Sequence, residues 1–202
     1  MRYAAAKNPE VTMRTAAHAI DPLFLRRWSP RAMSGAPLPL EELQRLFEAA
    51  RWAPSSGNSQ PWRFVVARRE QPAFARFFAL LDEGNQAWAK NAAALLVVCA
   101  ATQRVGSDGS VRPLATHAFD TGSAWMSLAL QATQQGLVAH GMEGFDKVKA
   151  ADVVNLPDGV TVICMVAIGL PGDPADLPEG KRKIEHPNTR DPIEKHVFDS
   201  SF

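Results

Sequence analysis

The longest uninterrupted apolar stretch of the chain runs from Ala92 to Ala101 and contains no polar side chain. A strand with one wet face alternates polar with apolar residues, whereas a strand without polar residues is covered on both faces. Ala94 to Ala101, with Val97 and Val98 at its centre, therefore reads as the central strand of a sheet packed between other layers. The stretch is well short of the roughly 20 apolar residues that a membrane-crossing helix needs, so no membrane partner is expected.

The covering layers can be read on either side of it. Leu40, Leu43, Leu46, Phe47 and Ala50 recur at helical spacing and predict a helix over 39–52. Trp62 to Arg68 reads as a strand rich in aromatic and β-branched residues. Phe74, Phe77, Phe78 and Leu81 stripe a second helix, and 107–113 reads as a polar surface loop. The longest helical pattern covers 113–136, with Leu114, Ala118, Trp125, Leu128, Ala129 and Ala132 on nearby faces. Small residues (Ser123, Ala124, Ser127) permit close helix approach, so this helix is expected in the core or at a subunit interface. A strand over 160–169 closes an α+β alternation. Five prolines between Pro171 and Pro192 predict a tail without compact structure of its own. Its apolar residues Ile193, Val197 and Phe198 must dock elsewhere, on a second copy or on their own domain.

Composition narrows the function classes. At 202 residues with 46% apolar and 21% charged residues, the chain suits one globular domain. Lys plus Arg is 22 and Asp plus Glu is 21, a net charge of +1 that gives no drive toward nucleic acid. Cys99 and Cys164 sit inside apolar runs and read as buried thiols. The histidines (His18, His117, His140, His186 and His196) show no metal-ligand spacing, so no metal is expected; His117 and His140 read as structural or surface groups. Residues 1–20 lack the apolar core of a secretory signal and read as a partly ordered leader on a cytoplasmic protein.

Two segments carry chemistry. Ala53-Pro54-Ser55-Ser56-Gly57-Asn58-Ser59-Gln60-Pro61 forms a loop between the first helix and the Trp62 strand. Its hydroxyls, carboxamides and backbone amides suit the edge of a planar heteroaromatic ligand. Upstream, Arg27-Trp28-Ser29-Pro30-Arg31 sets two guanidinium groups around a hydroxyl, a combination suited to phosphate. Pro30 stops a regular helix and biases Ser29 toward extended backbone. Taken alone, the same five residues also fit a solvated basic turn.

Together these segments resemble the FMN-dependent nitroreductase family, in order from about Leu25 to Arg190. Asn85 in Gly84-Asn85-Gln86-Ala87-Trp88 resembles the family's amide near the flavin. The helix through Leu128-Ala129-Leu130-Gln131, followed by Glu143-Gly144-Phe145-Asp146, resembles its core helix and the loop facing flavin N5. Ala167-Ile168-Gly169-Leu170-Pro171-Gly172 and Thr189-Arg190-Asp191-Pro192 resemble its last strand and tail arginine. The resemblance implies a central, mostly antiparallel sheet flanked by helices, in a homodimer whose C-terminal arm is exchanged. It divides the chain into a leader (1–20), an FMN-binding domain (21–172) and the arm (173–202).

The resemblance also implies FMN as cofactor and NADPH or NADH as co-substrate, with small planar acceptors such as nitroaromatics or quinones. Residues implied to hold the flavin are Arg27, Trp28, Ser29, Arg31, Pro54, Ser55, Ser56, Asn58, Gln60, Asn85, Glu143, Gly144 and Arg190. Arg31 is the implied cation near flavin N1 and O2, Arg27 and Arg190 lie nearer the phosphate, and no general base is required. Trp88 and Phe145 fit either a substrate wall or core packing, and Asp120 is placed against the ring edge or an arginine. Many members carry a basic residue two positions before the tail arginine; this chain has Asn188, with Lys181, Arg182 and Lys183 nearby to compensate. A flavin-binding sensor or carrier with little turnover fits the same contacts. A nucleic-acid binder using Arg26, Arg27, Arg31 and Arg63 with Trp28 and Trp62 fits poorly with the near-neutral charge.

Overall fold

The computed structural model describes residues 14–202, so residues 1–13 of the expected leader lie outside the described residues. Four strands form one fully antiparallel sheet: β1 (Trp62–Arg68), β2 (Ala94–Ala101), β5 (Val138–Met142) and β6 (Val160–Gly169), in the order β1-β2-β6-β5. All eight residues of β2 are buried, as its lack of polar side chains requires. Alternate residues serve opposite faces. Leu95, Val97 and Cys99 pack with Phe77, Leu80, Trp88, Met165 and Ala167 beneath α3 (Pro72–Phe78), α4 (Glu83–Ala89) and α6 (Lys147–Val153). Leu96 and Val98 pack with Leu43, Leu46, Leu128, Ala132, Val166 and Ile168 beneath α2 (Leu40–Arg51) and α5 (His117–Gln134). A register shift at Val98/Cys99 bends β2 against β6.

The expected helices and strands are present, with differences that have local causes. The long helix begins at His117, because Leu114 and Thr116 are used in the turn leading into it: the Leu114 carbonyl accepts from the His117 N–H and the Thr116 carbonyl from the Asp120 N–H. The expected surface loop 107–113 is instead half of an exposed hairpin, β3 (Gln103–Val105) with β4 (Val111–Pro113). Every residue of both strands is exposed, so no apolar alternation marks them.

The last strand returns the chain to the segment that precedes the first helix of the core. Ser34 N–H donates to the Leu170 carbonyl and Gly172 N–H to the Ala32 carbonyl, both at 3.0 Å, while Met33 bridges Pro171. The close approach requires glycine: a Cβ at Gly172 would lie 2.5 Å from the Met33 carbonyl carbon. This zipper brings the Arg27–Arg31 segment and the proline-rich tail to one edge of the sheet. The tail holds only short helical turns, including α7 (Glu179–Arg182), and residues 191–202 are exposed throughout. Among the described residues no helix is long and apolar enough to cross a membrane.

Candidate active site

The Arg27–Arg31 segment follows a one-turn helix and is held extended by contacts from outside it. Upstream, α1 (Pro22–Arg26) is a single turn, with Asp21 accepting from the Leu23 N–H at 2.7 Å and Pro22 at its first position. It ends because Arg27 leaves the helix with ψ of 118°. Downstream, Glu185 Oε1 accepts from the N–H of Arg31 at 2.7 Å and of Ala32 at 2.8 Å. Between them, His140 Nδ1 lies 2.9 Å from the Pro30 carbonyl. A carbonyl only accepts, so Nδ1 carries the proton. Burial, together with the charges of Arg31 and Lys181, pushes the His140 pKa down to about 4 against the opposing pull of the Pro30 carbonyl. The imidazole is therefore neutral at pH 7. Its ring lies 4.5 Å from that of Trp88, which is 2% exposed, so Trp88 is core packing that supports His140.

These contacts frame a cavity of about 470 Å³. Arg14, Arg27, Arg31 and Arg190 line it, with Trp28, Ser29 and His140 beside them and His186 and Asn188 from the tail. Arg27 is held below its ordinary pKa by burial and by Arg190; Arg14 is lowered by burial, Arg190 and Arg27. Among the described residues, only Arg31 of the four has a carboxylate partner, Glu185 at 3.7 Å. Mutually repelling guanidinium groups without carboxylates form a site for an anion.

Of the residues expected from sequence, Arg27, Trp28, Ser29, Arg31 and Arg190 converge on this cavity. Asn85 and Gly144 meet each other just beyond β5: Asn85 Nδ2 donates to the Gly144 carbonyl at 3.0 Å, and the same carbonyl accepts from the Asp82 N–H. Glu143 points to solvent, its side chain 90% exposed, and pairs with Lys147 at 3.4 Å. Pro54, Ser55, Ser56, Asn58 and Gln60 stand apart, ahead of β1 at the opposite edge of the sheet. Three β-sheet spacings separate the two edges, on the order of 14 Å.

That loop is shaped from within and from below. Gly57, Asn58 and Gln60 all adopt positive φ (54°, 52° and 46°), a region that glycine and asparagine tolerate best. Ser55 Oγ accepts from the Gln60 N–H at 3.0 Å. Asp120, 4% exposed in the first turn of α5, accepts from the Ser56 N–H at 3.2 Å and from the Thr116 hydroxyl at 2.8 Å. Asp120, expected against the ring edge or an arginine, makes the hydrogen bonds of a loop anchor.

A family model for the nitroreductase family matches residues 25–170. This chain belongs to the nitroreductase family. A solved oxidoreductase containing FMN is 45% identical, with a TM-score of 0.91 over 94% of this chain and 96% of that one. The NADH dehydrogenase of Thermus thermophilus is 30% identical over 203 residues, covering 86% of this chain and 92% of the relative. A nitroreductase family protein from Clostridium difficile shares the fold at 22% identity, with a TM-score of 0.68 over 92% of this chain and all of that one.

Family motifs alone miss two residues at this cavity. Glu185 is one of several acids in the tail, two positions after Lys183, and nothing in its neighbours shows that it reaches Arg31. Arg14 is a lone arginine in an alanine-rich stretch outside the matched residues.

Proposed function

We propose that this nitroreductase-family chain is an FMN-dependent oxidoreductase that takes hydride from NADH or NADPH and reduces planar acceptors such as nitroaromatics or quinones. One observation carries the reading: a cavity lined by four arginines, three of which (Arg14, Arg27 and Arg190) have no carboxylate partner among the described residues, in a chain 45% identical to an oxidoreductase containing FMN. The donor set fits a phosphate ester, since guanidinium forks and the Ser29 hydroxyl match its oxygens.

In this reading Arg27, Ser29 and Arg190 hold the phosphate, while Arg31 lies toward the ring edge. When bound, the flavin supplies hydride acceptance and electron delivery. Arg31 would favour the reduced, negatively charged ring electrostatically. Gly144, whose N–H has no partner among the described residues, offers a donor to the ring. Ser55, Ser56, Asn58 and Gln60 supply polar contacts from the loop. The neutral His140 holds Pro30 and takes no part in proton transfer.

The reading includes a homodimer with the flavin between copies. Its supports are the division of the expected contacts between opposite sheet edges and the apolar surface left uncovered. Phe119 on α5 is 78% exposed, and Ile193, Val197 and Phe198 in the arm are 47%, 64% and 48% exposed. In this reading, two copies paired about a two-fold axis would bring the loop of one beside the arginine cavity of the other.

The test is anaerobic turnover of NADH and NADPH with a nitroaromatic and with a quinone, with and without added FMN. FMN-dependent oxidation of the nicotinamide coupled to loss of the acceptor is expected. Bound FMN without turnover would instead favour a sensor or carrier.

A further inference from the structure

Arg14 belongs to neither family motif, yet it lines the same cavity as Arg27 and Arg190. Its position is held by the backbone of the Arg27 segment. Nη1 donates to the Arg27 carbonyl at 2.8 Å and to the Leu25 carbonyl at 3.3 Å. The guanidinium is thereby fixed against the end of α1, not extended into water. Its Nε is buried and has no hydrogen-bond partner among the described residues. A buried charged donor without an acceptor is costly unless a ligand satisfies it.

The cavity's charge points the same way. Arg14, Arg27 and Arg190 come from three separate segments, and none has a carboxylate partner among the described residues. The tail contributes a neutral residue, Asn188, where a second cation was expected. Its sequence neighbours do not replace that cation. Lys183 pairs with Glu179 at 2.7 Å, Arg182 donates to the Leu177 carbonyl at 3.2 Å, and neither they nor Lys181 line the cavity. Arg14 does, and its fork geometry suits a doubly charged oxyanion.

We propose that Arg14 is a phosphate-binding residue, supplying from the N-terminal side of the chain the cation that position 188 lacks. The assignment rests on the FMN reading of the cavity and extends it to a residue outside the matched part of the chain. Arg14 also clamps two backbone carbonyls, so the test must separate direct contact from support.

FMN and riboflavin differ only in the phosphate, and their affinities for the apoprotein separate the two roles. Both are measured by fluorescence quenching for wild type, Arg14→Ala and Arg14→Lys. Arg14→Ala is expected to weaken FMN binding about 10- to 100-fold, as loss of one charge-assisted contact does, and to leave riboflavin within about twofold. Arg14→Lys keeps the charge without the fork and falls between. Inorganic phosphate should raise the melting temperature of wild-type apoprotein more than that of Arg14→Ala. Equal losses for FMN and riboflavin, or no loss for either, overturn the assignment. A wild-type chain that binds neither flavin overturns the FMN reading itself, and the Arg14 assignment with it.

Discussion

Glu185 grips Arg31 by its backbone: Oε1 accepts from the Arg31 N–H at 2.7 Å, while Oε2 lies 3.7 Å from the guanidinium. The carboxylate is 1% exposed. The two residues are 154 positions apart in sequence, so the tail is tied to the Arg27–Arg31 segment at the point where the cavity forms. Glu185→Ala leaves the Arg31 and Ala32 N–H groups unpaired and should cost about 1–3 kcal/mol of folding stability. Glu185→Gln keeps an acceptor oxygen and should recover most of that loss in urea unfolding. Arg31→Ala should weaken FMN binding by about 1.5–3 kcal/mol and slow flavin reduction. Unchanged FMN affinity and reduction rate would remove Arg31 from the site.

Asp120 should matter through the loop it anchors. Asp120→Ala removes the acceptor for Ser56 N–H beneath a loop with three residues at positive φ. Stability should drop by about 1–3 kcal/mol, and limited proteolysis should cut within 55–60 earlier than in wild type. Asp120→Asn retains an oxygen and should behave closer to wild type.

Gly144 has no room for a side chain. A Cβ there would overlap the Asp82 carboxylate and come within 2.8 Å of the Asn85 amide nitrogen. Gly144→Ala should lower stability by about 1–3 kcal/mol through displacement of those groups. Adding Asp82→Ala removes the worst overlap, so the double variant should lose less than the sum of the single losses in thermal unfolding.

His140 makes stability fall with acid. Its pKa is about 4 in the folded protein against 6.5 ordinarily, so the unfolded chain takes up the proton first. The stabilisation from burying a neutral imidazole is complete above pH 6.5 and lost progressively toward pH 4. The slope from this group is at most about 1.4 kcal/mol per pH unit. In His140→Asn an amide N–H replaces the Nδ1 donor without titrating. Urea midpoints from pH 7 to 4 should fall less steeply for this variant than for wild type.

Legibility in the sequence followed how each residue is used. β2 was readable because both its faces are buried, and α2 because one face is. β5 was missed: Val138-Ala139-His140-Gly141-Met142 is short, edge-placed and interrupted by a glycine and a polar ring. At the site, Arg27, Ser29 and Arg31 were visible because they share a short segment, and the 54–60 loop because its turn chemistry is local. Glu185, Arg14 and the Asp120 anchor act across 154, 13 and 64 positions respectively, and no local pattern encodes contacts of that span. The arm was recognised as noncompact from its prolines, but its exposed Phe198 and Phe202, 4.8 Å apart, became evident only in three dimensions.

The most direct measurement is the absorption spectrum of the purified protein supplied with FMN, followed by anaerobic titration with NADH and NADPH. Protein-bound flavin bands that bleach with one or both nucleotides are the predicted result. Bound bands that never bleach would contradict the oxidoreductase function, and a protein that fails to retain FMN would contradict the reading of the arginine cavity itself.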